Sequence, residues 1–232
     1  MDRIKILTIR FKNPLAAREI PLFRGAVIKM TASGNYLFHG HIDEGFRYSY
    51  PLIQYKRING CAAIVCVGDG TEAIGDFFSG RRLVADIGDT QQTLEIDTIH
   101  ADNFLVHVWN AEYRYIIRRW LALNQDNYPE FTCLQDPAER REMLERILIG
   151  NILSFAKGLN VFFDKEIKLK IHTINSSRLY RYKEHLLMGF DVVFTCNVSI
   201  PSFVGLGKGT SIGFGTVNKR SVLQPEILSQ YE

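Results

Sequence analysis

Asn59-Gly60 stands between two apolar runs, PLIQYKRI (Pro51–Ile58) and CAAIVCV (Cys61–Val67), and restricts the fold more than any other feature of the chain. Asn-Gly accepts positive φ at both central positions of a type I′ turn, whose twist matches that of the strands it joins. A β-hairpin is therefore expected there. Upstream, IKILTIRF (Ile4–Phe11) alternates apolar and polar residues as a half-buried strand does, and FRGAVIKM (Phe23–Met30) reads as a short helix. Downstream, GTEAIGDFF (Gly70–Phe78) reads as another short helix, and TLEIDTI and FLVHVWN (Thr93–Ile99, Phe104–Asn110) return to strand character. The order is close to βαββαβ, the ferredoxin-like unit.

The second half opens on NQDNYPEFTCLQDP (Asn124–Pro137), which is rich in turn formers and reads as a linker. A punctuated helix follows, with Asp136 as N-cap, Pro137 at N1, Glu139 completing a capping box and Gly158 at C′. Leu144, Ile147, Leu148, Ile152 and Phe155 form its apolar stripe. EIKLKIHTI and much of LLMGFDVVFTCNVSI alternate again. These patterns predict an α+β protein of two tandem ferredoxin-like (βαββαβ) domains, residues 1–122 and 123–232, the second ending in a glycine-rich loop.

Charge says more by distribution than by total. The net charge is +3, but residues 3–29 carry seven basic side chains against Glu19, and residues 165–183 carry six against Glu166. Two basic surfaces on a nearly neutral chain suit a polyanion track, or are solvated strand faces. The four cysteines form neither a CxxC pair nor a zinc spacing. No run approaches the ~18 apolar residues of a membrane span, and charges interrupt MDRIKILTIRFKN too early for a signal peptide. A reduced, cytoplasmic chain is expected.

VGLGKGTSIGFGTV (Val204–Val217) holds five glycines, Gly205, Gly207, Gly209, Gly213 and Gly215. Glycine permits tight turns and close backbone approach, and exposed N–H groups in such loops bind phosphate. The Walker pattern fails because Gly209 follows Lys208, and GxGxxG fails at Thr210. A purely structural loop is the other reading. Near the middle of the first half, YLFHGHIDEG (Tyr36–Gly45) brackets Gly40 with His39 and His41. The pair could chelate a metal with help from Asp43, act as general acid and base, or belong to a polar loop. Of the other histidines, His107 reads as core or edge strand, and His172 could touch phosphate beside Lys170.

Taken together, FRGAVIKM, FHGH (Phe38–His41), YPLIQYKRING (Tyr50–Gly60) and GLGKGTSIGFGTV (Gly205–Val217) resemble the CRISPR-associated repeat-processing endoribonucleases called Cas-six, in their "b" subtype, within the repeat-associated RNA-binding superfamily. The resemblance implies metal-independent cleavage of repeats in a precursor RNA by an enzyme that stays with its product, leaving 5′-hydroxyl and 2′,3′-cyclic phosphate ends. It implies no cofactor and no metal. Its site would comprise His39 and His41, Tyr48 as a phosphate ligand or proton-transfer support, and Lys29 as a stabiliser of negative charge, with Arg24 and Arg47 as alternatives to the lysine. Asp43 and Glu44 depart from the pattern, as acids that could orient a histidine or bind a metal.

RNA contacts are expected from Gly205, Gly207, Lys208, Gly209, Gly213 and Gly215. Lys170 and the interleaved aromatics and bases of RLYRYK, Arg178, Arg181 and Lys183, would add to them. YRYIIRRW (Tyr113–Trp120) interleaves similarly, but its helical spacing points to core. The expected partners are CRISPR repeat RNA and subunits of a CRISPR effector complex, with no membrane, in a monomer or homodimer. The alternative is a non-catalytic RNA-binding subunit of the same superfamily.

Overall fold

The computed structural model describes residues 3–31, 50–79 and 83–220. The chain divides into two compact units. Of the described residues, the first unit comprises those up to 105 together with 211–213, and the second comprises 106–210 and 214–220.

In the first unit, β1 (Ile4–Pro14), β2 (Ile53–Ile58), β3 (Cys61–Val67) and β6 (Ile96–Phe104) form one antiparallel sheet in the order β2-β3-β1-β6. This is the ferredoxin-like order, with β1 and β3 central. Asn59 (φ 51°) and Gly60 (φ 84°) make the expected two-residue turn. Helix α1 (Ile20–Met30) buries Ile20, Phe23, Ala26 and Val27, a spacing that keeps one face on the sheet. Phe23 meets Phe11 and Tyr55 edge-on, each at 5.9 Å, and Phe11 meets Phe77 in the same way. The expected helix over residues 70–78 is two four-residue helices, α2 (Gly70–Ala73) and α3 (Gly75–Phe78). A hairpin, β4 (Val84–Ile87) and β5 (Thr90–Thr93), precedes β6 and sends Ala85 and Ile87 into the core.

In the second unit, β7 (Val108–Trp120), β8 (Leu169–Tyr182), β9 (His185–Val198) and β10 (Thr216–Lys219) pair in the order β10-β7-β9-β8. The order repeats that of the first sheet. Between β7 and β8 lie α4 (Asn127–Cys133) and α5 (Pro137–Gly158). Between β9 and β10, the position of the second helix in a ferredoxin-like unit is taken by the glycine-rich segment.

Several sequence expectations are corrected here. The units divide at Leu105/Val106 rather than after residue 122, so β7 supplies the second unit's first strand. YRYIIRRW is strand, not helix. Its buried residues Tyr115, Ile116, Ile117 and Trp120 mimic helical spacing because β7 shifts register between Ile117 and Trp120. The expected linker contains α4, anchored by buried Phe131 on Phe190 at 5.6 Å. Asp136 does cap α5, accepting from the Ala138 N–H at 2.8 Å. Gly158, however, is the last helical residue, and the left-handed position falls to Asn160 (φ 55°), a role asparagine tolerates.

Candidate functional site

Of the residues expected to carry chemistry, His39, His41 and Tyr48 lie outside the described residues, as do Asp43, Glu44 and Arg47. Lys29 is exposed on the last turn of α1, and Arg24 is half-buried five residues earlier. Five residues advance an α-helix by about 140° beyond a full turn, so Lys29 and Arg24 point different ways. Among the described residues no three of His, Cys, Asp and Glu converge as a metal site would require. The chelating HxH spacing falls on the segment not described. Buried Cys66 and Cys196 are not candidate nucleophiles: burial raises both thiols, Cys196 to about 12.

The glycine-rich segment is built onto the second unit's sheet. Gly205 bridges Thr216, and Lys208 bridges Leu121. The Leu206 N–H donates to the Gly215 carbonyl at 2.9 Å, and the Phe214 N–H to the Gly209 carbonyl at 3.2 Å. Gly207, Gly209, Gly213 and Gly215 all have positive φ. At two of them the reason for glycine is unambiguous. A Cβ on Gly207 (φ 86°) would lie 2.8 Å from Asn151 Oδ1 and 3.0 Å from Trp120 Nε1, two atoms that hydrogen-bond to each other at 2.8 Å. A Cβ on Gly215 (φ 60°) would run into the Leu206 carbonyl. These glycines shape the protein itself. Lys208, between Gly207 and Gly209, is the exposed side chain of the turn.

A stability prediction follows from this packing. Gly215→Ala should combine a left-handed penalty of about 1–2 kcal/mol with an overpacking cost of about 1–3 kcal/mol. The expected result is a Tm lower by roughly 5–15 °C in a thermal melt. Gly150→Ala, on α5, where an added Cβ meets nothing within 4 Å, is the control and should hold or raise Tm. Equal Tm values for the two variants would contradict the packing described.

The basic strand splits into two faces. Along β8 and β9, Arg178 pairs with Gly189, Tyr180 with Leu187 and Tyr182 with His185, while Arg181 pairs with Leu186. Side chains alternate along a strand, so Arg178 shares a face with Tyr180 and Tyr182, and Arg181 points the other way. Lys170 pairs with Thr195. Two bulges in β8, between Ile171 and Thr173 and between Ile174 and Ser176, return Lys170 to the face of Arg178. The first frees the Ile171 N–H, which Glu145 accepts at 2.7 Å. Arg114, opposite Thr195 from the β7 side, joins the same face and is exposed. A helical reading of residues 113–120 hides it; strand alternation reveals it. Lys183 sits in the β8–β9 turn (φ 54°), and exposed His172 bonds Thr195 Oγ1 at 3.0 Å.

Arg119 is a second residue that the helical reading hides. It occupies the β7 bulge with φ 50°. Its guanidinium lies 4.4 Å from the Phe214 ring centroid and 5.2 Å from that of Tyr180. Burial, then the Asp191 carboxylate, pushes the Tyr180 phenol above its ordinary value, against the pull of Arg119 and Arg178. Tyr180 therefore stays protonated at neutral pH and offers a neutral ring.

The face carrying Lys170, Arg114 and Arg178, with Lys208 on its turn, is suited chemically to holding a polyanion rather than to proton transfer. Comparison with known proteins agrees in fold and extent. The Cas6b N-terminal domain family matches residues 2–105, and the Cas6b C-terminal domain family matches residues 107–220. An uncharacterized protein of Methanocaldococcus jannaschii is 36% identical over 106 residues, 46% of this chain and 70% of that one. The crystal structure of a Cas6b protein superposes with a TM-score of 0.86 at 28% identity, over 95% of this chain and 100% of the other. That of a CRISPR RNA processing endoribonuclease Cas6b does so with a TM-score of 0.72, also at 28% identity and the same coverage.

Proposed function

The chain belongs to the Cas6b family, and from that premise we propose that it is an endoribonuclease that cuts the repeats of a CRISPR precursor RNA to release guide RNAs. The observation that carries this reading is that both halves of the chain match the family's two domains, in the order and with the fold of a solved Cas6b endoribonuclease.

The mechanism we propose needs no metal. The 2′-hydroxyl beside the scissile phosphate is an internal nucleophile, so proximity is already supplied. Of His39 and His41, one takes the proton of that hydroxyl and the other protonates the departing 5′-oxygen. Imidazole, with an ordinary pKa near ~6.5, can do either near neutral pH. The 2′-oxygen forms a bond to phosphorus as the 5′-oxygen leaves, giving a 2′,3′-cyclic phosphate and a 5′-hydroxyl. Tyr48 and Lys29 bind the phosphoryl oxygens as negative charge builds. Lys208, Lys170, Arg114 and Arg178 hold the RNA backbone, and Lys183 reaches it from the β8–β9 turn, while Arg181, on the opposite face of β8, stands apart from this path.

Incubating repeat RNA with purified protein in EDTA and mapping the product ends tests this directly. Cleavage in EDTA with a cyclic phosphate on the upstream fragment is expected. Tight binding without cleavage would leave the non-catalytic RNA-binding subunit as the reading.

A further inference from the structure

Resting on the reading that the glycine-rich segment holds RNA, we propose that Arg119 is a positioning residue that sets the shape of that segment before RNA arrives. Four observations place it in this role. The residue is left-handed, φ 50°, without being glycine. Its N–H donates to Asp191 Oδ1 at 2.6 Å, which holds the bulge open. Its carbonyl accepts from the Gly215 N–H at 3.2 Å. Its guanidinium covers Phe214 at 4.4 Å, while Tyr180 and Tyr182 meet the same ring edge-on, each at 5.9 Å. Gly189 makes room for this stack, because a Cβ there would lie 2.7 Å from the Tyr180 ring.

The physical need is clear from the sequence of the segment. Glycine loses more conformational freedom on ordering than any other residue, and a chain with five of them in eleven positions resists any single shape. Phe214 is the aromatic side chain among those glycines, so clamping it, together with the neighbouring Gly215 amide, restrains the turn around it. A turn ordered in advance spares the bound complex that ordering cost. A strained bulge that serves only the sheet has no such rationale; strain and bulges of this kind gather where a site is being aimed.

Arg119→Gly is the test, because glycine keeps the left-handed backbone while removing the whole side chain, stem and guanidinium together. Three quantities are measured: amide hydrogen exchange, repeat-RNA affinity at several salt concentrations, and cleavage rate at saturating enzyme. Exchange at the Phe214 and Gly215 amides should quicken by about tenfold or more, with Ile117 and Phe194 unchanged. Affinity should fall by about tenfold with its salt slope unchanged, and the saturated rate should hold. Lys208→Ala is the comparator and should flatten the slope by about 0.7–0.9, the change expected when one fewer phosphate is neutralised. Arg119→Lys, which keeps charge without the planar stack, should show the same local pattern at smaller size.

Unchanged exchange at Phe214 and Gly215 overturns the proposal whatever the RNA does. A slope flattened as in Lys208→Ala makes Arg119 a phosphate ligand instead, which also overturns it. Faster exchange with full affinity in both Arg119→Gly and Lys208→Ala would show that the failing part is the RNA role of the segment, on which the proposal rests, while Arg119 still shapes the turn.

Discussion

His39→Ala is expected to slow cleavage of repeat RNA by about 10²–10⁴-fold, the range typical of a lost general acid or base, and His41→Ala to do the same. RNA affinity should change little, because the strand is proposed to be held by the second unit's basic face and not by the imidazoles. The two losses should not add in the double variant, since both proton transfers serve one displacement and the remaining group cannot complete it alone. Single-turnover rates at saturating protein, with affinity measured separately, separate the two effects. A double variant that cuts at the parent's rate would remove both histidines from the mechanism.

Repeat RNA carrying 2′-deoxyribose at the nucleotide before the cut should bind and stay whole. The effect is larger than that of any side-chain change, because the substitution removes the nucleophile itself and leaves every protein group in place. Binding should be near that of the ribose strand, since phosphate contacts dominate affinity and are retained. The measurement is a gel of deoxy and ribose strands incubated side by side in EDTA. Cleavage of the deoxy strand would mean that water attacks, and the chelating reading of His39 and His41 with Asp43 would then have to be taken up again.

Local signals in this chain are read correctly where a local force decides the outcome. Asn59-Gly60 forms its turn because both residues accept positive φ (51° and 84°). Asp136 starts α5 because its carboxylate satisfies an N–H left open at the helix end. Residues 113–120 mislead because their apolar spacing fits a helix and a bulged strand equally well. The choice between the two is made by β9 and β10, which pair with β7 on either side and lie far away in sequence.

The candidate site divides along the same line. Its residue types are legible: the HxH pair, the glycine-rich run and the basic stretch from Lys165 to Lys183 all stand out in the sequence. The sequence alone could not say why Gly207 and Gly215 are glycines. The answer lies in Trp120, Asn151 and Leu206, against which a Cβ would collide. Nor could charge composition show that Arg178 and Arg181 leave β8 on opposite faces, or that Lys170 rejoins Arg178 through two bulges.

By itself the sequence determined the elements of the first sheet, the start of α5, the segment where glycine accumulates and the family to which these belong. Turn dihedrals, caps and apolar periods act over a few residues and are written in those residues. Tertiary structure alone decided that β7 opens the second unit, that the glycine-rich segment takes the place of a helix, and that Arg119 leaves the ladder to cover Phe214. Each of these depends on strand register. A single inserted residue turns every following side chain to the other face, and register is set by the partner strand.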